Sequence, residues 1–325
     1  MDDDAAGDRW PELPLAPWRG TRDTLHMWTQ VVGKTLLALA PPQNHFWHCA
    51  LSVTSCGLAS PAPMLDRDRC LDVELDLVDH VLRARCDGRS RAMPLEPRTV
   101  RAFYLEYMAL LRELGIDVHV WTTPVEVPDP IPFERDEVHH EYDRAAATRF
   151  FQVLRSSDAA LRTLSNGFVG KQSPVHFFWG SFDLAATRFS GRRAPERPGV
   201  DAITREAYSH EVISFGFWPG GTTPAGVSVD EPVFYAYAAP EPAGFRDAAV
   251  APATARYDPA LGEFVLPYEA VRSAADPAGE VRAFCESVYE AGSTLGAWDR
   301  AALDRAPAPP PAGGAAEHGG LHPVA

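Results

Sequence analysis

Three groups of residues in this sequence have types and spacings that could do chemistry. His26, Gln30 and Lys34 stand four residues apart each time, so a helix would carry them as one polar stripe. The stripe is either a solvated face or the wall of a polar cavity. Solvated faces usually carry Glu, Lys and Arg, whereas this one offers His, Gln and Lys. Asp183 lies in the aromatic run 175–187, where alternation sets Trp179, Ser181 and Asp183 on one face and Phe178, Phe182 and Leu184 on the other. Strand interiors disfavour Asp, so it needs a partner: Arg188 or Arg192 in an ion pair, a backbone N–H, or a metal. In 209–218, Glu211 shares a face with Ile213, Phe215 and Phe217, while His210 falls opposite with Val212 and Ser214. A carboxylate on an apolar face is driven toward its protonated form unless paired, which suits a general acid or base or a metal ligand. A bulge would be needed to bring His210 and Glu211 to one side.

Together these residues point to an enzyme acting on a small molecule in a pocket between the two halves of the chain. Glu211, Asp183, His176 and His210 are the candidate catalytic groups. His26, Gln30, Lys34, His48 and Arg188 are the polar candidates for substrate binding, with Trp179, Trp218 and Tyr235 as the aromatic ones. Two histidines and a carboxylate, His176, His210 and Glu211, form a candidate site for a divalent metal, the one cofactor considered. A metal-dependent hydrolase or oxidoreductase and a metal-free acid–base enzyme are both open. The competing reading is a non-catalytic binding or scaffold protein whose aromatic strands only form a core. The sequence has no Gly-x-Gly-x-x-Gly, no Walker loop, no His-Glu-x-x-His and no Gly-x-Ser-x-Gly. Pro219-Gly220-Gly221 reads as a turn, and His139-His140, between Glu137 and Glu141, as a solvated loop. Cys49 and Cys56 read as buried small hydrophobes.

The elements that must position these groups are legible from periodicity. Residues 24–37 read as a helix stopped by Pro41-Pro42, and 46–55 as a strand. Residues 71–77 alternate as a half-buried strand, and 81–85 read as another, followed by an Asp87-Gly88 turn. Thr99 caps a helix that Gly115 ends, and 116–121 read as a strand. A long helix is expected over 143–166, then strands over 175–187, 210–218, 233–237 and 264–267. Asp276-Pro277 starts a last helix.

The two halves look alike. His45-Phe46-Trp47 and His176-Phe177-Phe178-Trp179 each open a strand region, and Val100-Arg101-Ala102-Phe103 recurs as Val281-Arg282-Ala283-Phe284. Each tetrapeptide is followed at the same offset by Leu-Gly, at 114–115 and 295–296. The expected fold class is α+β, with two pseudo-repeated helix–antiparallel strands–helix units forming one body. Residues 1–20 read as a surface segment, 21–122 as the first repeat and 123–142 as a Pro-rich acidic linker over the surface. Residues 143–304 read as the second repeat and 305–325 as a disordered tail. Residues 22–122 and 143–296 are expected to superpose.

Several long strings resemble a bacterial family of uncharacterised proteins, a domain of unknown function. They are Thr24-Leu25-His26 with Trp28, Gln30 and Gly33-Lys34; Asn44-His45-Phe46-Trp47-His48; and His176-Phe177-Phe178-Trp179-Gly180-Ser181-Phe182-Asp183-Leu184 with Arg188-Phe189-Ser190-Gly191-Arg192. Tyr208-Ser209-His210-Glu211 with Gly216-Phe217-Trp218-Pro219-Gly220 completes the set. The resemblance covers roughly 9–304 and implies no particular reaction.

Composition bounds the rest. Among 325 residues, 30 Lys and Arg against 44 Asp and Glu leave a net charge of −14, which argues against nucleic-acid partners and anionic membranes. The 30 prolines and 24 glycines exclude a helical bundle, while eight Trp and 16 Phe suit an aromatic-lined pocket. Five cysteines without a Cys-x-x-Cys pair argue against a disulfide framework or structural zinc. The acidic start has no apolar run behind it. The uncharged stretch 35–65 contains Pro41-Pro42-Gln43-Asn44-His45, unsuited to a bilayer, so the cytoplasm is the expected location.

Overall fold

A computed structural model describes residues 9–63 and 69–305. The expected tail, 305–325, lies outside the described residues apart from Arg305. The first half opens with helix α1 (Arg19–Leu39), followed by strands β1 (Ser52–Val53), β2 (Gly57–Ala59), β3 (Leu71–Asp76), β4 (Val81–Cys86) and β5 (Arg89–Pro94), and then helix α2 (Val100–Glu113). The second half opens with α3 (Arg144–Arg162) and continues through β6 (His176–Phe178), β7 (Asp183–Arg193), α4 (Ala202–Ala207) and β8 (His210–Trp218). It goes on through β9 (Gly221–Thr222), β10 (Ser228–Val229), β11 (Val233–Ala239), β12 (Arg256–Asp258) and β13 (Glu263–Pro267), and ends with α5 (Tyr268–Arg272), α6 (Pro277–Leu295) and α7 (Arg300–Leu303). The fold is α+β.

Local chemistry sets most boundaries. Thr99, Asp143 and Asp276 accept from the backbone N–H groups of Ala102, Ala146 and Gly279, capping α2, α3 and α6. Asp87 and Gly88 both take positive φ, the requirement of the two-residue turn that joins β4 to β5 in register. Among the described residues, β1 to β5 form one antiparallel sheet in chain order. A second sheet has the order β12-β13-β11-β8-β7-β6. The two meet edge to edge, because Leu51 exchanges both backbone hydrogen bonds with Phe177, at 2.9 and 2.7 Å.

The second sheet has two unlike faces. Ile213, Phe215, Phe217 and Phe234 are buried on the side that packs against α3 and α6. Val212, Ser214, Trp218, Tyr235 and Tyr237 face the other side, toward a cavity. Helix α1 is buried along nearly its whole length, so its polar residues must all find partners.

Several expectations change. The strand expected over 46–55 begins later, because His45 and Phe46 take left-handed φ of 57° and 58° and Asn44–Cys49 winds into 3-10 turns. Residues 116–121 lie outside any strand. The run 175–187 is a hairpin, β6 to β7, turned at Trp179-Gly180-Ser181-Phe182 with Phe182 at φ 61°. The described part of the N-terminal segment, 9–20, is anchored rather than superficial: Leu13, Leu15 and Trp18 are buried, and the Tyr268 hydroxyl donates to the Pro11 carbonyl at 2.9 Å. Most residues of the linker 123–142 are exposed or half-buried, His140 among the exposed ones, but the segment is pinned to the body at Phe133 and Asp136, which are fully buried. Of the two cysteines expected inside, Cys49 is buried and Cys56 half-buried.

Both halves run helix, antiparallel sheet, helix, and Val100, Phe103, Val281 and Phe284 are all fully buried. The matched Leu-Gly pairs differ. Leu114 is buried and Gly115 left-handed at φ 84°, whereas Leu295 is exposed and Gly296 sits at φ −77°.

Candidate functional site

A cavity of about 980 Å³ opens between α1, the linker, the Asn44–Cys49 turns, α4 and the second sheet. Its construction starts on α1. His26 Nε2 donates to the Gly180 carbonyl at 2.8 Å, and burial holds the imidazole neutral, down to about 3. Gln30 clamps Val125 through both amide atoms, donating to its carbonyl at 2.7 Å and accepting from its N–H at 2.9 Å. Lys34 donates to the Thr123 carbonyl under the Trp121 ring, and burial lowers its ammonium to about 8. The stripe is therefore neither a solvated face nor wholly a cavity wall. It ties the linker and the β6–β7 turn to the helix, and only His26 of the three lines the cavity. Gly33 completes the clamp: a Cβ there would lie 2.3 Å from atoms of the Trp179 indole, whose Nε1 donates to the Cys49 carbonyl at 3.0 Å.

Asp183 is the centre of the sheet wall. It is 6% exposed, and its carboxylate accepts from Ser181 Oγ and the Tyr235 hydroxyl. The arginine pair expected for it does not form. Arg188 instead donates to Gln172 and the Leu164 carbonyl and lies over the Tyr289 ring, on the α6 side of the sheet. Tyr235 starts on β11 and must cross β8 to reach Asp183. Gly216 makes this crossing open, since a Cβ there would lie 2.2 Å from the Tyr235 ring. Burial raises Asp183 to about 6 and Tyr235 well above the usual phenol range, so at neutral pH the pair is an ionised carboxylate and a protonated phenol.

Two further carboxyls surround Asp183. Glu263 opens β13 opposite Tyr237, and Glu126 leaves the linker beside Gly180. Lost solvation and then repulsion from Asp183 raise the half-buried Glu263 to about 8, and push Glu126, an exposed residue, in the same direction. Tyr208 and Tyr237 share a hydrogen bond of 3.1 Å on the same wall. Facing them from α1 is Arg22, whose side chain is 8% exposed and pairs through Nη1 with Asp23 at 2.8 Å.

His26, Trp179, Asp183, Trp218 and Tyr235 are the expected site residues that line this cavity. The others lie elsewhere. His48 accepts from the Gln43 N–H at 3.1 Å within its own turn. His176 is buried in β6 near Trp47 and lowered to about 4 by that burial. His210 sits beside Ser209, 3.0 Å from its hydroxyl. Glu211 faces α6 as period-two counting predicts, is mostly buried, and is held by Arg192 Nε and Nη2 at 2.9 and 2.7 Å. Arg192 also donates to the carbonyls of Gly296 and Ala297, so Glu211 belongs to a helix-end anchor. His176, His210 and Glu211 do not converge, and among the described residues no group of three or more His, Cys, Asp or Glu is arranged to hold a metal ion. Of the His139-His140 pair, His140 is exposed, but His139 donates to Asp136 at 2.7 Å and lines the cavity.

The residues that sequence reading missed each had a signal. Arg22 extends the His26 stripe by one turn. Glu263 alternates with Phe264 and Leu266, and Glu126 is flanked by valines inside a proline-rich stretch. No helix of the described residues is long and apolar enough to cross a membrane. No curated protein and no solved structure matches the chain. The motif strings of α1, the β6–β7 turn and β8 build one clamp and one cavity wall, and they fall within the 10–305 match to a family model: the chain belongs to a family of unknown function, DUF5996.

Proposed function

We propose that this cavity is the active site of a cytoplasmic small-molecule enzyme working by acid–base chemistry. The observation that carries the reading is the Asp183–Tyr235 pair, set into the cavity wall through the Gly216 notch and flanked by Glu263. Groups whose environments push their proton affinities apart divide into base and acid. Asp183, at about 6, is the base at neutral pH, and Glu263, at about 8, retains a proton to give. Trp179 and Trp218 supply apolar wall for a substrate body.

The test is incubation of the purified protein with metabolite mixtures, followed by mass spectrometry. A compound consumed by the wild type and spared by both Asp183→Asn and Glu263→Gln, with melting retained, supports the reading. A compound that is retained and never converted favours the second reading, a binding protein. That reading gains from the nearest thiol, Cys49, whose burial pushes it up to about 12 and removes it as a nucleophile.

We also infer that the two halves descend from a duplication. The shared helix–sheet–helix order and the buried Val-x-x-Phe pairs support it. Superposition of 22–122 on 143–296 in matched order tests it, and mismatched strand pairing ends it.

A further inference from the structure

The reading of the cavity as a ligand site leaves the ligand's chemistry open, and the charges on the two walls narrow it. The sheet and linker side brings Asp183, Glu126 and Glu263 together, and no salt bridge among the described residues involves them. The α1 side presents Arg22. Its guanidinium is nine-tenths buried and wedged where a Cβ on Gly221 would lie 2.5 Å from Nη2. It engages Asp23 through Nη1 alone, and Nε has no hydrogen-bond partner. A buried guanidinium short of partners is costly, and its planar fork is suited to a carboxylate or phosphate. Carboxyls crowded in one wall repel each other, and an ammonium group relieves that repulsion. Trp179, Trp218, Tyr235 and Tyr237 line the same cavity and suit both a cation and an apolar body.

We propose, resting on that ligand-site reading, that the cavity takes a small zwitterion. Its ammonium lies against Asp183, Glu126 and Glu263, and its carboxylate or phosphate, separated by an apolar body, lies against Arg22.

Four probes of one shape test this by calorimetric titration: 4-(aminomethyl)benzoate, 4-methylbenzylamine, 4-methylbenzoate and 4-methylbenzyl alcohol. The doubly charged probe is expected to bind at least about tenfold more tightly than either singly charged one. Arg22→Gln should reduce its affinity to that of the amine while leaving the amine unchanged, and Asp183→Asn should reduce it to that of the benzoate. Thermal melts check folding, and Arg22→Lys should restore part of the loss if Arg22→Gln is unstable. Equal binding of all four, or preference for the alcohol, overturns the inference while leaving a ligand cavity. Failure of all four to bind the folded protein also overturns it, and Asp183-dependent turnover of metabolites then decides the proposed function independently.

Discussion

Asp183 and Glu211 are carboxylates on neighbouring strands of one sheet, yet they answer to different physics. Glu211 faces the helices and is neutralised by Arg192, so its removal breaks a charge-assisted contact that also anchors the end of α6. Glu211→Gln is expected to lower stability by about 1–2 kcal/mol and to leave ligand affinity at the cavity intact, which denaturant unfolding and titration together measure. Asp183→Asn should do the reverse. Glu263 carries a pH dependence with a definite sign. Its proton affinity is raised on folding, to about 8, so its contribution is fully present below about pH 4 and is lost as pH rises through 8. The melting temperature of the wild type should therefore fall more as pH rises from about 4 through about 8 than that of Glu263→Gln. Equal slopes would contradict the raised proton affinity. Period-two counting located Glu211's face and its buried, partnered state, because β8 pairs with β11 in unbroken register over 212–218, the irregularity beside Glu211 falling in β7 between Phe189 and Arg193. It did not place Glu211 relative to the cavity, because alternation reports a face and not which face holds the cavity.

Helix α1 shows how far spacing alone carries an element. The four-residue interval placed His26, Gln30 and Lys34 on one stripe, but their partners come from residues 123–125 and 180, distant in sequence. Nothing local announces such contacts. The β6–β7 turn was hidden for a related reason: it sits inside an aromatic run, and the left-handed position falls on Phe182 rather than on Gly180. Where turn chemistry was ordinary, as at Asp87-Gly88, or caps were present, as at Thr99 and Asp276, the elements were readable. Two glycines now have steric roles open to test. Gly33→Ala should cost about 1–3 kcal/mol and alter tryptophan emission as the Trp179 indole is displaced. Gly216→Ala meets both the Tyr235 ring and the Leu184 carbonyl, and should cost as much in stability while also weakening ligand binding. Gln30→Ala should free the linker, so limited proteolysis is expected to cut between 123 and 131 more quickly than in the wild type, while α2 resists.

At the scale of the whole molecule, the contacts that join the two halves include the clamp of α1 on the β6–β7 turn and the backbone exchange between Leu51 and Phe177. Amides at that junction should exchange with solvent as slowly as those in the centre of either sheet. The junction also bears on what happens when the protein fails. Sheet edges recruit other chains unless charge or proline guards them. The outermost strand β5 carries Arg89, Arg91 and Pro94, and β12, at the far side, carries Arg256. The inner edges have no such guard: Leu51-Ser52-Val53 and His176-Phe177-Phe178 are short, uncharged apart from one histidine, and rich in β-formers. Among the described residues, these edges are covered by each other through the Leu51–Phe177 exchange. A variant that loosens this junction would therefore present two adhesive edges at once, and self-association into insoluble material, rather than quiet reversible unfolding, is the fate it should meet in the cell.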